Sequence, residues 1–212
     1  MAPLSFSRRD LLIGGRVVWL DVPQHPEQLW QDCSRDQGAS DHYWAMWWES
    51  ALATSCLLLS HTWTRPLSCL ELGCGSGLTG IAALLAGHDV TFSDSADQAV
   101  RLAQRNAAAN GYPDVSGLVF DWREPPVLSR FDLLLASDIL YDAGLHAALF
   151  ANFEAALQPG GSIWIGDPGR ESTRQFLTEA DCLGWRIRLT SESGRELIQP
   201  QRGRFQLIEL CR

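Results

Sequence analysis

Three clusters of residues in this sequence have the types and spacing for chemistry. The first is Glu71-Leu72-Gly73-Cys74-Gly75-Ser76-Gly77, in which glycines allow a tight turn and let backbone N–H groups approach a ligand closely. Gly75, Gly77 and Gly80 also spell the G-x-G-x-x-G pattern, with an acidic residue, Asp94, about 20 positions on. A carboxylate at that point accepts from ribose hydroxyls. The second cluster is Asp138 and Tyr141, whose i, i+3 spacing places them on one side of a turn. The third is Asp121-Trp122, an acceptor beside an aromatic wall, which suits the exocyclic amine and face of an adenine.

Glu71 separates the candidate ligands. A carboxylate two residues before the first glycine repels a diphosphate and attracts an ammonium group. S-adenosylmethionine carries an ammonium group, a ribose and an adenine, and no phosphate. A nicotinamide dinucleotide fits the glycine pattern but not the charge.

These residues need a scaffold that brings strand ends to one edge. From about residue 67 onward, strand-like and helix-like segments alternate. Strands are predicted over 67–72, 90–93, 117–120, 131–139 and 162–166, with helices over 78–86, 97–110, 145–157 and 171–183. Pro159-Gly160-Gly161 reads as the stop of the third of these helices. Two strands, 185–190 and 204–211, close the chain with no helix between them and must pair as a hairpin. The pattern implies a doubly wound α/β fold: a mostly parallel, seven-stranded Rossmann-like sheet with a C-terminal antiparallel hairpin strand. Ahead of it, residues 13–20 read as a strand or hairpin around Gly14-Gly15, and 42–60 as one aromatic helix. Residues 1–212 read as a single domain, 1–62 forming a lid or substrate wall and 63–212 the ligand-binding core.

The composition excludes several classes. The 212 residues carry 17 basic and 25 acidic side chains, a net charge of −8, which argues against a nucleic-acid surface. All the basic residues are Arg. Ser7-Arg8-Arg9-Asp10 imitates a twin-arginine export signal, but Arg16 and Asp21 interrupt the apolar run such a signal needs. No stretch approaches the length of a membrane span. Six cysteines (33, 56, 69, 74, 182 and 211) form no C-x-x-C pair, the five histidines show no ligand spacing, and a reduced, cytoplasmic, metal-free protein is expected.

The segment E-L-G-C-G-S-G-L-T-G-I followed by V-T-F-S-D resembles the class I S-adenosylmethionine-dependent methyltransferases. Within them the chain is similar to the seven-β-strand protein lysine methyltransferases of the methyltransferase-like family. The similarity rests on Trp48-Glu49-Ser50-Ala51, on Ala136 to Asp142, and on Ile165-Gly166-Asp167-Pro168-Gly169-Arg170. The last motif, with Tyr43 to Trp48, resembles the branch that methylates the electron-transfer flavoprotein β subunit; Glu49-Ser50-Ala51 stands where that branch carries Pro-Gly-Gly.

The resemblance implies a protein acceptor presenting lysine, with that flavoprotein subunit as the candidate. It implies cofactor contacts from Trp48, Glu71, Gly73, Cys74, Gly75, Gly77, Leu78, Asp94, Ser95, Asp121, Trp122 and Ser137. Asp138 and Tyr141 would orient the amine and ease its deprotonation, while Trp44 and Asp167 would line its approach. A small-molecule amine acceptor, as in nicotinamide N-methyltransferase-like enzymes, stands as the alternative.

Overall fold

The computed structural model describes residues 4–27, 42–126 and 129–212; part of the expected N-terminal wall, including Cys33, lies outside them. Strands β1 (Phe6–Ile13) and β2 (Arg16–Pro23) form an antiparallel hairpin. A short 3-10 turn, His42–Ala45, leads to α1 (Glu49–Ser60). Then follow β3 (Ser68–Leu72), α2 (Leu78–Leu85), β4 (Asp89–Asp94), α3 (Asp97–Ala109), β5 (Ser116–Val119) and β6 (Phe131–Ser137). The chain closes with α4 (His146–Ala156), β7 (Leu157–Asp167), α5 (Ser172–Cys182), β8 (Arg186–Ser191), β9 (Glu196–Leu197) and β10 (Gln206–Cys211).

The main sheet runs β5-β4-β3-β6-β7-β10-β8-β9. Strands β5, β4, β3, β6 and β7 are mutually parallel, and β10 enters antiparallel between β7 and β8. The expected parallel sheet with its closing hairpin is present, and β9 adds an eighth strand. Two apolar layers cover the sheet. One contains Leu70, Leu134, Phe150, Phe153 and Phe176, and the other Leu58, Ile81, Phe92, Leu133 and Leu135. Strand order reverses between β3 and β6, so the carboxyl ends of these neighbours diverge and leave a crevice, where ligands bind open α/β sheets.

Two expectations need correction. The aromatic stretch 42–60 is not one helix, because residues 46–48 break it. In a continuous helix Trp44 and Trp48, four residues apart, would share a face. The break sends Trp44 against Ala96, Ala99 and Leu102, while the Trp48 indole donates to the Tyr43 carbonyl at 3.0 Å. Pro159-Gly160-Gly161 is likewise not a separate turn. It lies within β7, where the register against β6 shifts between Phe131 and Leu133 and Gly160 takes φ +79.

The hairpin is tied to the core by two amides, Asn106 on α3 and Asn110 at its C-terminal cap. Asn106 donates to the Asp21 carbonyl and accepts from its N–H, at 3.0 and 2.9 Å; Asn110 does the same for Trp19 at 2.8 and 3.0 Å. Asn106 also donates to the Ser76 carbonyl in the glycine loop at 2.9 Å. Arg8 and Arg9, of the twin-arginine-like stretch, are strand residues. Arg8 pairs with Asp21, and Arg9 lies over the Trp47 ring at 4.9 Å.

Candidate active site

A cavity of about 510 Å³ opens at the β3/β6 crevice. Its first wall is the glycine loop. The turn is dictated by backbone geometry: Gly73, Gly75 and Gly77 all have positive φ, and the Cys74 N–H is tied to the Ser93 carbonyl at 2.8 Å. A side chain at Gly77 would overlap Ala103 at 2.7 Å, so that glycine serves close packing and does not line the cavity. Gly80 has the same role, its missing Cβ falling 2.4 Å from the Phe92 ring. Gly73, Cys74, Gly75 and Leu78 line the cavity as expected.

Glu71 precedes this loop near the end of β3, and Asp94 reaches it from the end of the neighbouring strand β4. Glu71 is 3% exposed, lines the cavity, and accepts from the Gly80 N–H at 3.0 Å, one of the otherwise unpaired donors at the start of α2. Burial pushes its carboxyl up to about 8, against the lowering effect of that hydrogen bond. Asp94 accepts from Gly75 N at 3.1 Å and Ala96 N at 3.0 Å, bracing the loop while facing the cavity. Ser95 lies beside it, and Ser137 lines the floor, linked to Thr79 at 3.0 Å and Thr54 at 3.2 Å.

Asp121 and Trp122 reach the cavity from the loop after β5. The Trp122 ring covers Gly73, where an added Cβ would sit 3.1 Å away. The Asp121 carboxylate pairs with Arg123 at 2.5 Å and caps the Arg123 N–H at 2.9 Å. That guanidinium holds the Asp121 carboxyl below the usual range.

The opposite wall comes from the β6 end and the aromatic stretch at residues 43–48, and the β7–α5 loop braces it from behind. Asp138, directly after β6, adopts φ +62 and is 8% exposed; its N–H donates to the Gly166 carbonyl at 2.7 Å. Tyr141 follows it, its ring edge-on to Tyr43 with centroids 5.5 Å apart, and Trp48 flanks Tyr43 at 6.2 Å. Arg170, from the β7–α5 loop, donates from Nε to Asp138 Oδ1 at 2.5 Å and lies over the Trp48 ring.

Two assignments change here. Trp44 touches the cavity but is buried against Ala96, Ala99 and Leu102, beside the Asp94 end; Tyr43 takes the place beside Tyr141. Asp167 is fully buried and does not line the cavity. Its Oδ1 accepts from Gly169 N, Arg170 N and Thr173 Oγ1 at 2.8, 3.2 and 2.8 Å, which makes it the brace of the turn into α5. Sequence reasoning missed Tyr43 and Arg170. For Arg170 a signal existed: a carboxylate as buried as Asp138 needs a cation, and Arg170 ends the neighbouring strand-end motif.

The strand order, closing hairpin and glycine-loop crevice define a class I methyltransferase fold. A TehB-like S-adenosylmethionine-dependent methyltransferase from Corynebacterium glutamicum superposes with a TM-score of 0.58 at 20% identity, over 89% of this chain and 98% of that one. A family model for lysine methyltransferases matches residues 27–181, and the chain belongs to that family. The electron transfer flavoprotein beta subunit lysine methyltransferase of Rattus norvegicus is 31% identical over 137 residues, 62% of this chain and 52% of the relative. A histidine protein methyltransferase 1 homolog of Dictyostelium discoideum is 35% identical over 103 residues, 45% of this chain and 33% of the relative. The chain thus spans about half the length, or less, of these relatives.

Proposed function

We propose that this chain binds S-adenosylmethionine and methylates the side-chain amine of lysine in a protein acceptor. The observation that carries this reading is one cavity joining two walls: a glycine loop flanked by the Glu71 and Asp94 carboxylates, and Asp138 with Tyr141 opposite, in a lysine methyltransferase family chain.

The first wall fits the cofactor by charge. Glu71 faces an ammonium group, Asp94 the ribose hydroxyls, and Trp122 with Asp121 the adenine. Among the described residues that line the cavity, the one cation is Arg123, already paired with Asp121, so a diphosphate meets no free counter-charge from them. When bound, S-adenosylmethionine supplies a methyl carbon on a positively charged sulfur, which a neutral amine displaces.

The second wall prepares that amine. Lysine has an ordinary pKa near 10.4, so the amine must lose a proton before attack. Tyr43, Trp48 and Tyr141 form an aromatic aperture that strips water from the approaching side chain. Asp138 accepts an N–H and aligns the lone pair, and the released proton leaves to water.

The test is incubation of the protein with methyl-labelled cofactor and cell lysate, with Asp138→Ala in parallel, followed by mass spectrometry. Label on lysine, lost in the variant, is expected. The electron-transfer flavoprotein β subunit is the first purified acceptor to try. The Dictyostelium relative favours a histidine acceptor as the second reading, which label on an imidazole would establish. Label confined to small molecules would overturn both.

A further inference from the structure

The Arg170–Asp138 contact joins residues 32 apart in sequence, and both partners are fixed from behind. Gly169, at φ +79, turns the chain, with its carbonyl held by Gly203 N at 2.8 Å. Asp167 clamps the Gly169 and Arg170 amides, and is itself held by Thr173 and by Gln206 Nε2 at 3.3 Å. On the other side, Asp138 is anchored through its N–H to Gly166. The guanidinium is therefore delivered to the carboxylate by two built turns, at the end of the cavity where the acceptor amine must arrive.

We propose that Arg170 is a charge-compensating positioning residue: its pairing with Asp138 keeps the acceptor end of the cavity from holding the substrate amine as a locked ammonium. This rests on the methyltransferase reading above. A lone buried carboxylate stabilises an ammonium and raises its pKa, which tightens binding and withholds the lone pair. A guanidinium on the same carboxylate opposes that charge, leaving Asp138 to align the amine without trapping it. Among the described residues, the other charged and titratable groups around this point do not supply the compensation. Tyr141 and Asp142 lie on the Asp138 loop, and the Asp142 carboxylate caps Gly144 N at 2.8 Å. Tyr43 faces Tyr141 from the 3-10 turn, Asp167 stands behind Arg170, and Arg123 is paired with Asp121. Glu71 and Asp94 on the far wall are held by the amides of Gly80 and of Gly75 and Ala96.

The test measures kcat and KM between pH 6 and 10 for wild type, Arg170→Gln and Arg170→Lys, using the acceptor protein found in the lysate experiment. Arg170→Gln is expected to move the kcat midpoint upward by about one pH unit, a loss of about tenfold at pH 7 that is recovered at high pH, with a lower KM. Arg170→Lys keeps the charge and is expected to restore the wild-type midpoint. An Arg170→Gln profile lowered by one factor at every pH, or shifted downward, overturns the proposal. Independently of turnover, the NMR resonance of Arg170 Nε–H, assigned through Arg170→Lys, is expected to move in Asp138→Asn. An unmoved resonance would overturn the pairing itself, whereas wild-type inactivity on every acceptor would overturn the methyltransferase reading.

Discussion

The two walls of the cavity are built on different plans. The glycine-loop wall is local: Glu71 to Ala96 is one strand–turn–helix–strand unit with the first turn beyond it, and its two carboxylates are satisfied by amides within that stretch. The Asp138 wall is assembled from the 3-10 turn at His42–Ala45 and the β6 end, joined by ring contacts and braced through one ion pair to the β7–α5 loop. A local wall tolerates little change in backbone and binds a part common to many reactions. An assembled wall can change its acceptor by changing one contributing segment. Binding and turnover should therefore separate by mutation.

The largest effect is expected at Asp138. Asp138→Ala should lower kcat by about 100-fold or more, while affinity for S-adenosylhomocysteine, read by calorimetry, stays within about twofold. A parallel loss of both would mean that the walls are not independent. Gly80→Ala attacks the local wall instead: the new Cβ would meet the Phe92 ring at 2.4 Å and Glu71 Oε2 at 2.6 Å. A destabilisation of about 1–3 kcal/mol, measured by denaturant titration, should accompany weakened cofactor binding.

Glu71→Gln should weaken S-adenosylhomocysteine binding by about tenfold, the size of one charge-assisted hydrogen bond. It should also abolish a proton effect. With its carboxyl raised to about 8, Glu71 is largely protonated at pH 7 in the free protein, and a bound ammonium group favours its ionised form. Wild type should therefore release close to one proton per cofactor bound at pH 7, measured in buffers of different ionisation enthalpy, and Glu71→Gln none. The stability consequence has the same origin. The folded state holds this proton more tightly than the unfolded chain, so the contribution of Glu71 to apo stability is lost as pH rises from 4.5 through 8. That slope should be shallower in Glu71→Gln. The smallest effect is expected at Asp121, which is already paired with Arg123 at the rim; Asp121→Asn should change cofactor affinity by less than about threefold.

The same contrast governs what the sequence disclosed. The loop wall was legible because its signals are close together: glycines at a strand end, Glu71 before them and Asp94 at the next strand end. The parallel sheet followed from strand–helix alternation, and the β8–β10 pairing from the missing helix between those strands. Across the cavity, Asp138 and Tyr141 were marked by their shared turn, but their partners were not. Tyr43 meets Tyr141 because the aromatic stretch breaks at residues 46–48, where no glycine or proline announces a break. Asp167 was misplaced because a carboxylate at a strand end reads alike whether it faces a ligand or caps a turn. Its buried hydrogen bonds to Gly169, Arg170 and Thr173 decide the matter.

The asparagines at the C-terminal end of α3, Asn106 and its cap Asn110, bear on solubility. A two-stranded ribbon set apart from the main sheet offers unpaired amides along its outer strand, an invitation for another molecule to add a strand. Asn106 and Asn110, one helical turn apart, present N–H and C=O groups to Asp21 and Trp19 as a neighbouring strand would. A helix end thus impersonates the missing strand, and that stretch of the ribbon is sealed against intermolecular pairing while the Leu12, Val17 and Trp19 side chains stay exposed.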